Sequence, residues 1–524
     1  MGRDSLHPNA ATDLEENATN ENGQQQGATE VIVKPDSPIE PEEGIADFEK
    51  PSTFDRLLEH CYKMPDSTPF IFGKSGNGSE VVCLDEKSAI DYYMHQYYCD
   101  EGSFPKKKDA KEDVTQLRLL ALYNKPVLPV AHRVQKYSDD SGDGIELKIS
   151  KKISVKVTAK GIECGPHSGC FWSPDHEQDL PMPNEVGSIE PFLAALGITD
   201  ADQRILLTGL LLMYLYPTGP YPMVVFKGPN GSGKSTISTG FKSLLDPSLI
   251  EKIADVKSPR DLYVVAALNR ILNFDNVSEI SGPLYDAHCT IATGGQRAER
   301  KLYTNKEMSC IRTENPQVFN GIPALFHRED FRERAVLIEL PVLERRRSLG
   351  ECNRELEATK PAALGYLLRA MQVALANLET TETPQGIRMA DAAKLVAAAE
   401  PFFGWEPGTF ENAYKRNQLK SIRESLSEQP VYQVLKRVLE HNNGQVSGKP
   451  EAVLQILNTM ADTISPLLRD EKTWPKSPSA LSLVLNRLEG TLAVVGIRIR
   501  QERVDACTRR TTIIDEQVQQ ANGN

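Results

Sequence analysis

At 524 residues, 40% hydrophobic and 25% charged, the chain carries enough apolar material for two to four globular domains, which excludes a wholly disordered or fibrous protein. Its net charge is −12, but residues 1–50 set twelve acids against Arg3, Lys34 and Lys50, so most of the acidity sits in one tail and a nucleic-acid partner is not excluded. The longest apolar run, 205–216, is too short to span a bilayer, and nine scattered cysteines without a disulfide-like framework or a secretory signal lead us to expect a cytoplasmic protein with no membrane partner.

Residues 1–50 are rich in Asn, Gln, Glu, Pro and Gly and are expected to be disordered, because they bury too little to offset the entropy of ordering. From Thr53 the pattern changes. Phe54, Leu57, Leu58 and Cys61 recur at helical spacing, strand-like pieces follow at 69–73 and 80–84, and helices are expected over 89–98 and 114–123. The lysines of 106–111 read as a solvated face, with phosphate contact as the other reading. From 127 to 183 period-two alternation, as in Ile145-Glu-Leu-Lys-Ile149, predicts a β-rich accessory module. Cys164, His167, Cys170 and His176 invite a zinc reading, but five residues between the cysteines do not match the usual pairs, and a hairpin with incidental cysteines is the better account.

Two helices, over 188–196 and 200–216, lead to the stretch Met223-Val-Val-Phe-Lys227-Gly-Pro-Asn-Gly-Ser-Gly-Lys-Ser-Thr236, which reads as a buried strand, a glycine-rich turn and a helix start. This is the pattern of a phosphate-binding loop for ATP. Gly228, Gly231 and Gly233 allow turn conformations closed to other residues, so the N–H groups of Asn230, Ser232 and the residues around them converge on a polyphosphate at the helix N-terminus. Lys234 reaches the outer phosphates, Ser235 is placed to ligate Mg2+, and Thr236 completes the motif. Downstream, Arg270-Ile-Leu-Asn-Phe-Asp-Asn-Val277 is a short apolar strand ending in an acid, the placement of a Walker B motif, with Asp275 holding magnesium opposite Ser235. Asn276 stands where many such ATPases carry a second acid. Asn orients water but cannot accept its proton, so either the base lies elsewhere, with Glu279 nearest, or turnover is slow or rests on positioning.

Then follow Thr293-Gly-Gly-Gln-Arg-Ala-Glu-Arg-Lys-Leu-Tyr-Thr-Asn-Lys306, a strand-like Gln317-Val-Phe-Asn-Gly-Ile322, Asp330-Phe-Arg-Glu-Arg334 and an apolar strand over 336–340. In this order the elements resemble the hexameric superfamily 3 helicases of viruses and phages. More closely, the chain from about residue 127 onward is similar to P-loop ATPases of phage and mobile-element origin, helicase-like or primase-associated. Arg388-Met-Ala-Asp391, Ala398-Ala-Glu400, Gly404-Trp405, Ala413-Tyr414 and Trp474-Pro-Lys-Ser477 look like that family's later landmarks. The resemblance implies that Asn320 senses the γ-phosphate and the attacking water, and that Arg334, with Arg332 as second candidate, is an arginine finger presented to a neighbouring subunit of a homo-oligomeric ring. A surface ion pair with Glu333 or Asp330 is the other reading of Arg334. The resemblance also makes the basic element carrying Arg297, Arg300, Lys301 and Lys306 a pore hairpin that grips single-stranded DNA.

Ala- and Leu-rich helices over 356–378 and 389–400 predict an α-helical lid or collar. Helices over 431–439, 451–460 and from Ser477-Pro478 to about Val494, then a strand pair over 497–501 and 509–514, suggest a winged helix. Between Lys472 and Arg510 eight basic residues face Glu489, Glu502 and Asp505, a local sign reversal that favours duplex DNA, with Arg487, Arg498, Arg500 and Arg509 as contacts. A purely structural winged helix mediating protein contacts is the alternative.

The expected fold class is therefore α/β: a P-loop NTPase core of the AAA+ or superfamily 3 type over 184–345, an α+β accessory module over 51–183, a lid over 346–428, a winged-helix-like domain over 429–515, and disordered tails over 1–50 and 516–524. The expected function is an ATP-hydrolysing, DNA helicase-like motor in phage or mobile-element replication or transfer. The alternative is a slow-turnover, DNA-bound switch or loader. A small-molecule kinase would have no use for the long C-terminal extension.

Overall fold

The computed structural model describes residues 51–522 apart from 66, 76–77, 141, 255, 278–279, 301–307, 322–327, 343–347 and 504–508. The tail expected over 1–50 lies outside the described residues. A three-stranded antiparallel sheet (Cys61–Lys63, Pro69–Ser75, Gly78–Cys83) packs with helices Thr53–Glu59, Ser88–Glu101 and Lys107–Asn124 around Leu57, Ile71, Tyr93 and Leu117. A four-stranded antiparallel meander follows (Val134–Asp139, Gly142–Lys148, Ile153–Thr158, Gly161–Pro166).

The single module drawn over 51–183 divides here. The meander's inward residues Ile145, Leu147, Val155 and Val157 belong to the same apolar cluster as the helix Ala201–Leu215, whereas the elements before it close a cluster of their own. Buried charges add to the join. Arg133, 1% exposed, reaches Glu177 at 3.0 Å and Asp246 at 3.4 Å, and Asp246 also pairs with Lys242 and accepts the N–H of Ile271. Such charges are tolerated in an interior only because they are paired.

The central sheet is parallel, with strand order Leu272–Val277, Gln317–Gly321, Met223–Lys227, Ala335–Glu339. Its strands read as continuous apolar runs because both faces are covered. Val224 and Phe226 face the cluster that holds Ala201–Leu215, and Met223 and Val225 face the one built on Phe274, Phe319 and Phe331. Gly295–Arg300 and Met308–Thr313 pair antiparallel as a separate two-stranded sheet at the sequence position expected for the basic element.

The lid has three helices, Leu349–Asn377, Ala390–Phe403 and Thr409–Ser427. The first starts on a capping box, Ser348 with Glu351, and runs through Pro361. A side chain at Gly365 would come within 1.9 Å of the Asn184 carbonyl, so that approach requires glycine. The third lid helix, absent from the sequence reading, buries Phe410, Ala413 and Tyr414 in the main core and adds polar contacts to the sheet. Ala335–Glu339 is an edge strand, and Asn417 both accepts the Leu337 N–H at 3.0 Å and donates to its carbonyl at 2.7 Å, while Gln418 donates to the Ala335 carbonyl. A side-chain amide thus stands in for a neighbouring strand and closes the edge.

The last domain packs helices Pro430–His441, Pro450–Ile464 and Pro478–Val494 against a three-stranded antiparallel sheet in the order Gln445–Gly448, Arg509–Asp515, Ile497–Arg503. The strand Gln445–Gly448 adds a third member to the expected pair. The tail expected over 516–524 is corrected for most of its length: Glu516–Asn522 is helical, with the Asp515 carboxylate accepting the N–H groups of Gln517 and Val518 in the manner of an N-cap. No described helix is long and apolar enough to cross a membrane.

Asn417→Ala is expected to lower stability by about 1–3 kcal/mol by leaving the Leu337 backbone groups without partners. Urea unfolding checks this, and an unchanged midpoint contradicts it.

Candidate nucleotide site

Between the strand Met223–Lys227 and the helix Lys234–Ser243 the chain makes the glycine turn that its sequence requires. Gly231 and Gly233 have φ of 83° and 81°, in the left-handed region. A Cβ on Gly228 would lie 2.7 Å from Ser232 Oγ and 2.8 Å from the Leu340 carbonyl. Asn230 and Gly231 are exposed at the rim, and Thr236 is half-buried in the first helical turn. Ser232 is 1% exposed, and its Oγ has no hydrogen-bond partner. Lys234 folds back over the turn, donating to the carbonyls of Gly228 at 2.7 Å and Pro229 at 2.9 Å.

Asp275 is the hub. Its Oδ1 accepts from Ser235 Oγ at 2.7 Å and from Asn320 Nδ2 at 2.7 Å, and Lys252 Nζ lies 3.8 Å from Oδ2. Burial pushes the carboxyl pKa up, but those hydrogen bonds and Lys252 outweigh it and hold the group below the usual carboxylate range. The local fold delivers this convergence. Phe226 and Asn320 are partners across parallel strands, so both end beside the glycine turn, and pairing with the outer strand shifts register between Phe274 and Val277. Asn276 takes up the irregularity with φ of 55°, and its backbone N–H donates to Asn320 Oδ1 at 2.7 Å. Its side chain is exposed, and Glu279, the alternative base, lies outside the described residues.

Asn320 is 1% exposed and saturated as a donor, since Nδ2 also reaches Ser238 Oγ at 3.0 Å. Ser238 and Lys252 are the two site neighbours that sequence reading missed. Ser238 falls one helical turn after Ser235 on the same face, a signal that was available. Lys252 sits outside any regular element and offers none.

The two arginine candidates separate. Arg334 precedes the strand Ala335–Glu339, and its carbonyl accepts the N–H of Met223, at the opposite end of the sheet from the glycine turn. Five residues of strand put it roughly 15 Å from its own chain's glycine turn. Its Nη1 donates to the Asp330 carbonyl at 2.5 Å, and its Nε is buried without a partner. Arg332 is 4% exposed and turned inward, donating to Ser425 Oγ at 3.1 Å and Thr491 Oγ1 at 3.4 Å. Arg332 as a finger is therefore set aside, because its guanidinium is enclosed within its own chain. The expected ion pair of Glu333 is made instead with Arg388.

Among the DNA candidates, Arg297 and Arg300 lie on the first hairpin strand, and Lys301 and Lys306 lie outside the described residues. Arg487, Arg498 and Arg500 are exposed, with Arg498 3.4 Å from Glu516, and Arg509 opens the middle strand of the C-terminal sheet. Of the cysteines considered for zinc, Cys164 is exposed on a meander strand and Cys170 is buried, while the His167 ring lies 2.9 Å from the Ser150 carbonyl. Among the described residues no group of three or more His, Cys, Asp or Glu is placed to hold a metal ion.

The glycine turn, Asp275, Asn320 and the arginine segment all fall within residues 189–410, which match the family model described as the actinomycete integrative conjugative element replication protein. Residues 431–522 match the C-terminal domain of the same family. These two stretches are similar to the replication proteins of actinomycete integrative conjugative elements. That likeness supports a role connected with replication. No curated protein matches. Among solved structures, the apo C-terminal region of NrS-1 is 14% identical at a TM-score of 0.38, with 88% of this chain and 98% of that one covered. JCV helicase with a bound small molecule is 15% identical at 0.23, covering 43% and 64%. Likenesses this distant carry no functional weight.

Next to the site, His288 is buried between Phe274 and Phe319, with Nδ1 2.6 Å from Gln317 Oε1. Burial pushes its pKa from 6.5 down to about 4, against the opposing hydrogen bond that the ring donates to Gln317 Oε1. The unfolded chain therefore binds the extra proton first, so this contribution is whole above pH 6.5 and shrinks as pH falls toward 4. His288→Asn is expected to flatten that part of the urea midpoint's pH dependence, and an unaltered slope contradicts the assignment.

Proposed function

We propose that this replication protein binds ATP with magnesium at the glycine turn and hydrolyses it to drive a helicase-like motor on DNA during replication or transfer of a mobile element. The observation that carries the reading is the meeting of Ser235, Asp275 and Asn320 at the C-terminal ends of parallel strands beside a phosphate-sized turn. The residues fit the group. A hydroxyl and a carboxylate 2.7 Å apart are hard oxygen donors of the kind magnesium takes with phosphates and water, and the orphaned Ser232 Oγ faces no competing partner. Bound magnesium would neutralise charge on the outer phosphates.

The remaining roles belong to side chains. The N–H groups of the turn converge on the polyphosphate. Lys234 exchanges the carbonyls of Gly228 and Pro229 for phosphate oxygens. Asn320 fixes the orientation of Asp275, and a sensor role would have one of its N–H groups leave Ser238 or Asp275. Arg334, remote from its own site, serves a neighbour's in a ring, where a guanidinium in trans stabilises the transferring phosphoryl group. The hairpin bearing Arg297, Arg300, Lys301 and Lys306 grips single-stranded DNA in the pore. The C-terminal domain, read as a winged helix, holds duplex through Arg487, Arg498, Arg500 and Arg509.

One observation favours a second reading. Asn276 replaces an acid and turns its side chain to solvent from a left-handed backbone, so it is poorly placed to activate water. On that reading the protein is a slow ATP-dependent switch or loader.

Turnover of ATP separates the two. Lys234→Ala and Arg334→Ala are each expected to lose turnover on the order of 10³-fold. Mixing the two variants restores part of it, because some interfaces then combine an intact loop with an intact finger. No recovery on mixing, or an Arg334→Ala protein as active as wild type, counts against the trans finger. Turnover indifferent to Lys234→Ala counts against the motor.

A further inference from the structure

The Arg332 contacts join parts of the chain far apart in sequence. The short helix Glu329–Arg332 leads directly into Arg334. Its Arg332 guanidinium lies between Ser425, near the end of the lid helix Thr409–Ser427, and Thr491, on the third helix of the C-terminal domain, Pro478–Val494. A second approach supports the first: a Cβ built at Gly490 would lie 3.6 Å from Glu329 Oε1. The segment before the finger is therefore seated on the helix that presents Arg487. Arg487 precedes Thr491 by four residues, so the two side chains are neighbours on adjoining flanks of that helix. One is exposed and the other 5% exposed.

On its other side the segment is seated on the nucleotide site. Phe331 is fully buried and packs edge-on against Phe319 with centroids 5.4 Å apart, and Phe319 stacks on Phe274 at 5.0 Å. Phe319 and Phe274 each immediately precede a site residue, Asn320 and Asp275. The lid helix reinforces the path one residue from Ser425, where Glu424 pairs with Lys227 at 2.9 Å, directly before Gly228. Close-packed aromatic contacts and buried hydrogen bonds of this kind move together rather than deform independently.

We propose that Arg332 and Thr491 form a coupling contact, through which duplex DNA on the third helix of the C-terminal domain sets the position of the Arg334 segment and hence the rate of ATP turnover. Arg332 is on this account a positioning residue that acts through Arg334. The inference rests on the nucleotide and DNA reading given above. It goes beyond that reading in making the DNA-binding domain a regulator of the finger rather than a tether. A duplex phosphate drawn to Arg487 acts one helical turn from Thr491. A small roll of the helix there either tightens or releases the Arg332 guanidinium, and Arg334 two residues on follows.

The test uses the full chain, a short mixed-sequence duplex as probe, and three readouts: duplex affinity, basal turnover, and turnover with saturating duplex. Thr491→Val keeps the shape of the side chain and removes only its hydroxyl. It is expected to bind duplex and turn over ATP at the basal rate like wild type while its stimulation by duplex falls toward none. Couplings between sites are typically about 5- to 150-fold, so the loss is measurable. Thr491→Ser is expected to restore the stimulation, and Thr491→Val combined with Arg332→Met is expected to be no less stimulated than Thr491→Val alone. A folded Thr491→Val with wild-type stimulation overturns the inference and leaves the functional reading intact. Hydrogen exchange on the wild-type chain gives a second test that needs no variant. Amides of residues 328–334 are expected to change protection when duplex is added, and no change there overturns the coupling. If wild-type turnover is indifferent to Lys234→Ala, the nucleotide reading fails separately, and the exchange result then decides the contact.

Discussion

The Asp275 carboxylate is the constraint around which the core is arranged. It is partly withdrawn from water, yet it is held in its charged form by donors from two other elements: Ser235 from the helix after the glycine turn and Asn320 from the adjacent strand. Each donor is itself fixed. Asn320 is held by the Asn276 N–H and by Ser238, and Ser235 belongs to a helix that begins at a left-handed glycine. A buried polar network of this kind is stable only when every member is satisfied, so moving one member costs the arrangement of all. The left-handed backbone of Asn276 fits the same logic, since that conformation aims its N–H at Asn320.

A second constraint acts at the sheet's edge. Ala335–Glu339 has one strand neighbour, and its outer side is covered by a helix whose Asn417 imitates a backbone partner. That helix also reaches Lys227 through Glu424, and Lys420 pairs with Glu339. It leads without a break in described residues to Pro430, where the C-terminal domain begins. The lid is therefore part of the mechanical connection between the glycine turn and the C-terminal domain, and more than a cover.

The glycine turn was legible in the sequence because its chemistry is local. A chain that needs left-handed φ at two positions and a bare Cα at a third can use little else but glycine, and the apolar strand before it and helix after it complete the pattern. Asp275 was legible as the acid closing an apolar strand, and Asn320 through the resemblance. What stayed hidden depends on contacts between distant residues. The pattern Asp330-Phe-Arg-Glu-Arg334 does not tell which arginine faces inward, and it is contacts with Ser425 and Thr491, about a hundred residues and more downstream, that show Arg332 does. The helix Thr409–Ser427 is hard to read locally because its apolar side, Phe410, Ala413, Tyr414 and Leu426, is sparse beside a long charged and amide-rich face. The meander 134–166 alternates as any half-buried sheet does, and nothing local shows that its inner face would be covered by the same core as the helix Ala201–Leu215 that leads to the glycine turn.

The central claim is that Ser235 and Asp275 form the magnesium half of an ATP site. It is tested most directly by titrating ATP onto wild type and Asp275→Asn, each with and without magnesium. The account predicts that magnesium tightens ATP binding to wild type and fails to do so for Asp275→Asn, while metal-free binding stays similar in the two. ATP affinity that responds to magnesium equally in both proteins, or no ATP binding by wild type at all, would contradict it.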